Sequence, residues 1–372
     1  MTPCSPLRAL LGLLMLCLAT LARPAPAEPA PPAHHRDGRF QNQYLEFAPP
    51  GLLRLMRWRW DAARAGVPRP PQAPTPRVAA DLAFLRANAG AGAAMVPTAT
   101  WIGHATVLVQ MGGLNVLTDP IFSERASPLS WTGPLRAQPP GLALAELPRI
   151  DAVLVSHDHY DHCDLPSLKA LAAQPGGPPL FLVPLGLKAL LEDAGITHVV
   201  ELDWWQGRSL QGVDIVMTPV QHWSARGLAD RLRSLWGGWA LFAADFHLFF
   251  AGDTGYSPDF ADIHARFAPR QGGFGFDLAL LPVGAYEPRW FMKDQHVNPE
   301  EAVRIHLDLA ARRTLGIHWG TFELTDEPLD EPPRALAAAR RARGLADESF
   351  VVTPIGQTLR LPRRGTGPVA GQ

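Results

Sequence analysis

Residues 155–165 read VSHDHYDHCDL, and they follow directly on the apolar run DAVLV (residues 151–155). Three histidines and three aspartates fall within eight residues, behind what reads as a buried strand. A loop that needs only to be soluble has no use for three imidazoles, whereas a loop that holds metal ions does. His157 and His159 lie two apart, and Asp161 with His162 follows on the next turn of chain. The first pair can face one cation while the second pair faces a neighbouring one. The alternative reading is a solvated polar loop in which Asp164 caps a helix beginning at Leu165-Pro166.

The remainder of the chain supports a fold that gathers strand ends. Beyond Arg77, short β-rich runs such as TVLVQMGGLNVLTDP, LFLVP, DIVMTPVQH, WALFAADFHLFFAGD and TLGIHWG alternate with helical stretches such as PSLKALAAQ and PEEAVRIHLDLAARR. This predicts an α/β domain with many strands. Asp119, His157, His222, Asp253 and His318 each follow an apolar run, so five strand ends carry ligand-type side chains toward one cleft. With 34 Lys plus Arg against 35 Asp plus Glu, no net field recruits nucleic acid.

The amino terminus reads differently. Arg8, an apolar stretch at residues 9–22 and the small residues at 25–27 predict a signal peptide over 1–27, with a retained amino-terminal anchor as the rival. A secreted or periplasmic, membrane-associated protein is the expected consequence. Two of the three cysteines fall in that segment, leaving Cys163 as a packed residue without a disulfide partner. Residues 28–36 are Pro/Ala-rich and predict a disordered linker, with His34 and His35 in no special role. Residues 37–76 predict an arm over the main domain, 77–362 the catalytic domain and 363–372 a flexible tail. The mixture of Trp, Leu and Arg in the arm suits a membrane interface, with Trp58 and Trp60 as the inserting groups, but it also suits ordinary packing. Leu228, Leu232 and Leu235 stand at helical spacing beside Trp204, Trp205, Trp223, Trp236 and Trp239, and together they could line a lipid groove or build core.

SHDHYDH, followed downstream by QHW, AGDTGY and IHWG, resembles the metallo-β-lactamase superfamily, whose fold is an αββα four-layer sandwich. The strings TWIGHATVLVQMGGLNVLTDPIFSERASP, GAYEPRWFMKDQHVNPEEAVRIH and IHWGTFELTDEPLDEPP resemble its N-acylphosphatidylethanolamine-hydrolysing phospholipase D branch, across about residues 37 to 362. The resemblance implies two Zn²⁺ ions. His157, His159 and His222 would hold one; Asp161, His162 and His318 the other; Asp253 would bridge them. Asp161, Asp253 and His296 are then the candidate catalytic residues, with Asp119 and His104 as outer partners of the ligands. Tyr160, His296 and Ser130 are candidate substrate contacts, although Ser130 stands where the branch would supply a Gln. The implied substrate is a phospholipid, met by peripheral membrane contact and cleaved to phosphatidic acid and an N-acylethanolamine. Whether the chain forms a homodimer is open at this stage. A lactonase or other carbonyl hydrolase of the same fold, and a non-catalytic envelope protein, are the competing readings.

Overall fold

A computed structural model describes residues 32–227 and 229–364. The segment 1–27, Leu228 and the end of the chain from residue 365 lie outside the described residues.

Two seven-stranded sheets form the centre. The first contains β3 (Thr98–Gly103), β4 (Thr106–Met111), β5 (Leu114–Thr118), β6 (Ala152–Leu154), β7 (Leu180–Pro184), β8 (Val199–Leu202) and β16 (Thr358–Arg360). Its spatial order is β16-β3-β4-β5-β6-β7-β8, antiparallel through β5 and parallel from β5 to β8. The second contains β9 (Gly207–Leu210), β10 (Val213–Thr218), β11 (Gly238–Phe242), β12 (His247–Phe250), β13 (Leu278–Pro282), β14 (Thr314–Ile317) and β15 (Phe350–Val351), in sequential order and parallel from β12 to β15.

The period of two in the strands explains the layering. Val107, Val109, Leu154 and Leu182 of the first sheet pack into one core with Ile215, Met217, Trp239 and Phe249 of the second. The intervening Leu108, Val153, Phe181 and Val183 face the other way, onto Leu168 and Leu171 of helix Leu165–Ala172 and onto Leu191 of helix Lys188–Asp193 with its N-cap Leu187. Across the molecule, helices Asp259–Phe267 and Pro299–Asp308 cover the second sheet through Phe260, Ile263, Val303 and Ile305. The result is the expected αββα sandwich.

Four expectations about organisation need correction. The linker over 28–36 does not extend to its stated end: β1 (His35–Arg36) pairs with β2 (Arg39–Phe40) around Asp37-Gly38, both at positive φ, as a two-residue hairpin turn demands. The tail does not start at 363, because Arg363 donates to the carbonyl of Met95 and Arg364 lies 2.6 Å from Asp277. Leu232 and Leu235 do not lie on a helix. Leu235 is core, as are Trp204, Trp236 and Trp239, so these four build the interior, and of the expected groove residues Trp223 lines a pocket. Finally, Trp58 is not free to insert into a bilayer. It is 7% exposed on helix α1 (Leu52–Ala65), packs on Phe291 and donates to Asp326 at 2.9 Å.

Candidate metal centre

The parallel halves of both sheets bring their carboxyl ends to one edge of the sandwich, and the ligand-type residues leave from there. Asp119 follows β5, residues 156–162 follow β6, His222 follows β10, Asp253 follows β12 and His318 follows β14. The close fit has a backbone cost. Asp119 and His318 adopt φ of 31° and 61°, strained for non-glycine residues. Gly252, at φ 63°, stands where a Cβ would lie 2.4 Å from the Ser156 Cβ, so the approach of the Asp253 segment to the histidine loop requires glycine.

All seven residues expected to bind metal converge. Nε2 of His157 lies 2.9 Å from Nδ1 of His159, which lies 3.3 Å from Nε2 of His222. Nε2 of His162 and Nε2 of His318 are 3.1 Å apart and each is 3.4 Å from Oδ2 of Asp161. Asp253 stands between the groups, with Oδ2 3.1 Å from His162 and 4.0 Å from both His157 and His222, and Oδ1 3.2 Å from His318. Two donors on one tetrahedral zinc, each bonded at ~2.0–2.1 Å, stand about 3.3 Å apart. These separations fit two neighbouring ions, one per group, with Asp253 shared. Oδ1 of Asp253 is buried with no well-aligned hydrogen bond, its one near neighbour being the His318 ring nitrogen at 3.2 Å, and a cation there would satisfy it.

The outer partners fix which ring nitrogen faces inward. Nδ1 of His162 is 2.6 Å from Asp119, whose carboxylate also accepts from the amide and hydroxyl of Ser156. Nδ1 of His157 is 2.9 Å from the Ser156 hydroxyl, and Nδ1 of His222 is 2.9 Å from the carbonyl of Gln295. Each leaves Nε2 for the ion. His104 is 2.9 Å from Asp161, placing it behind that ligand as expected.

Sequence reasoning missed Asn42. Its amide donates to the carbonyl of His222 and accepts the amide of the same residue, both at 3.0 Å, and it is buried. An isolated Asn in an arm gives no signal of this; only the three-dimensional path of the arm does.

Electrostatics separate the two groups. Burial, with the neighbouring imidazoles, holds His157 well below the usual histidine range, and burial also lowers His159 and His222. These rings are neutral at pH 7 and offer lone pairs. Burial pushes His318 down as well, but the Asp253 and Asp161 carboxylates outweigh it and lift the ring to about 9; His162 is raised in the same way. Without metal, His162 and His318 therefore retain protons at pH 7 that a cation must displace. Metal uptake by chelated protein is expected to release protons and to strengthen as pH rises toward 9. Calorimetric titration in buffers of differing ionisation enthalpy measures this, and uptake with no proton release across pH 6–9 would refute it.

A pocket of about 300 Å³ opens onto the cluster. Apolar walls come from Leu55 and Trp58 of α1 and from Phe291, Met292, Trp223 and Leu324; His159, Asp161, Asp253, Gln295 and His296 form the polar part, and Arg231 adds a guanidinium. His296 is the substrate candidate that reaches this space. Its Nδ1 lies 3.8 Å from Asp253 without a hydrogen-bond partner, and burial pushes it down to about 4. Helix capping falls instead to Asn298, in a capping box with Glu301. The other two candidates are corrected. Ser130 is exposed on a loop and is not part of the pocket lining. Tyr160 donates to the carbonyl of Arg226 and packs beneath that guanidinium, so it braces the loop and does not line the cleft.

Sandwich and cluster together define a metal-dependent hydrolase of the metallo-β-lactamase fold. A family model described as the beta-lactamase superfamily domain matches residues 114–319. Among relatives, the N-acyl-phosphatidylethanolamine-hydrolyzing phospholipase D 1 of Caenorhabditis elegans is 42% identical over 272 residues, covering 70% of this chain and 74% of the relative. The mitochondrial N-acyl-phosphatidylethanolamine-hydrolyzing phospholipase D of Saccharomyces cerevisiae is 39% identical over 260 residues, covering 68% of this chain and 53% of the relative. An isothiocyanate hydrolase from Delia radicum gut bacteria shares the fold, with a TM-score of 0.56 at 19% identity over 71% of this chain and 99% of that one. The chain belongs to the metallo-β-lactamase superfamily, in the branch of the N-acylphosphatidylethanolamine-hydrolysing phospholipases D.

Proposed function

We propose that the protein is a binuclear zinc phosphodiesterase that cleaves N-acylphosphatidylethanolamine, or a closely related phospholipid, to phosphatidic acid and the head-group alcohol. The observation that carries this reading is the seven-donor cluster at the floor of an apolar pocket, in a chain with two relatives, 42% and 39% identical, that bear that activity in their names. Two divalent ions held by these residues would lower the pKa of water and neutralise a phosphodiester. The protein's own groups would do the rest. Asp161 and Asp253 bring two negative charges among the imidazoles and so set the charge that the site presents to an anionic substrate. Arg231 adds one positive charge in the wall. His296, whose Nδ1 faces the pocket without a partner, can accept a hydrogen bond from the attacking water and orient it. The Cys163 thiol is pushed up to about 12 by burial, so the chemistry needs no covalent nucleophile there.

A diacyl lipid must be met in its bilayer, because each CH₂ moved into water costs ~0.8 kcal/mol. Helix α1 supplies a surface for that meeting. Leu55 and Trp58 face the pocket while Leu52, Leu53, Met56 and Trp60 are exposed, with Leu53 at 82%. Zinc-loaded protein is expected to form phosphatidic acid from vesicles containing N-acylphosphatidylethanolamine. The Leu53→Asp, Trp60→Asp double variant should be slowed on vesicles by more than tenfold, yet remain unchanged on a small soluble phosphodiester. No phosphatidic acid from the wild type would overturn the substrate assignment; equal turnover of vesicles by the variant would remove the membrane role of α1.

A further inference from the structure

His34 and His35 sit outside the catalytic cluster and converge on a third residue. Nε2 of His34 lies 2.6 Å from Oδ1 of Asp203, and Nε2 of His35 lies 2.9 Å from Oδ2 of the same carboxylate. His34 stands in the turn that leads into β1, which begins at His35. Here both rings fold to one side, because each has its own aromatic support: His34 stacks on Trp204 with centroids 4.3 Å apart, and His35 meets the Phe40 ring edge-on at 5.0 Å. Asp203, directly after β8, is fixed in turn by the amide of Trp204, which donates to Oδ1 at 2.7 Å. Three ligand-type side chains are thus held by packing, with their donor atoms together and the His35 side chain 30% exposed.

We propose that His34, His35 and Asp203 form a further metal site, for a structural zinc-class divalent ion. Two imidazoles and a carboxylate suit zinc, and the exposed side leaves a fourth position for water. The ion would take the place of the protons now shared between the rings and the carboxylate. Its position gives it a purpose. The β1-β2 hairpin runs from this clasp to Phe40, whose amide donates to the carbonyl of Leu232, and on to Asn42, which grips the backbone of the metal ligand His222. Closing the clasp secures the segment that braces the catalytic loop.

Full-length protein dialysed against micromolar zinc, alongside His35→Gln and Asp203→Asn, provides the test. Both variants keep all seven catalytic donors, so the difference in bound zinc isolates this site. Wild type is expected to hold one ion more per chain than either variant. Zinc should also slow tryptic cleavage after Arg36 and Arg39 in the wild type and not in His35→Gln. If Asp203→Asn does not fold, His35→Gln, altered at the more exposed ring, decides the matter. Equal zinc content in wild type and folded His35→Gln would overturn the proposal and leave a hydrogen-bonded clasp.

Discussion

The Asp253→Asn protein is expected to fold, to purify with at least one metal ion fewer per chain, and to lose lipid hydrolysis almost completely. Among the described residues, Asp253 is the one carboxylate within 4.0 Å of histidines from both groups, so its loss weakens both sites at once. Asn keeps the shape but removes the negative charge that two adjoining cations require. The loss of activity should exceed the roughly 10–100-fold that follows removal of an outer hydrogen-bond partner from a metal site. Metal analysis, circular dichroism and turnover on one preparation measure it. Wild-type metal content with wild-type turnover would show that the carboxylate has no part in the centre.

The second large effect is expected one layer further out, at Asp119→Asn. Asp119 touches His162 at 2.6 Å and the amide of Ser156 at 2.7 Å, and both it and His162 are fully buried. Its φ of 31° suits Asn better than Ala, so Asn tests the charge with little added backbone strain. A neutral amide makes His162 a less basic ligand, and metal affinity should fall about 10–100-fold while the fold persists. Activity should return as free zinc is raised, which is the mark of a residue that acts through a ligand. Failure of zinc to restore any activity would assign Asp119 a different role.

Much of the centre was legible because metal ligands have a narrow chemistry and the fold has a period. HDHYDH behind an apolar strand, and His222, Asp253 and His318 at other strand ends, specify a shared edge once the parallel pairing from β5 to β8 and from β12 to β15 is in place. The pocket walls were harder. The Trp, Leu and Arg composition of α1 suits a membrane interface or ordinary packing alike, and for Trp58 packing holds: its ring is buried against Phe291 and its indole N–H meets Asp326. Tryptophans 204, 236 and 239 read as candidates for a groove, but sandwiches bury large rings between their sheets, and that is where these three lie. His34 and His35 looked inert because proline-rich composition dominated the local reading; their partner, Asp203, is distant in sequence and no local pattern reveals it.

In the proposed reaction water attacks phosphorus within this centre. Hydrolysis of N-acylphosphatidylethanolamine by the zinc-loaded protein in ¹⁸O-labelled water, followed by mass spectrometry of every product, examines that step directly. One labelled oxygen is expected in phosphatidic acid, with none in the N-acylethanolamine or in any fatty acid. Label in a fatty acid would instead mean attack at a carbonyl, and label in the N-acylethanolamine would mean cleavage on the carbon side of the phosphoester; either result would contradict the mechanism.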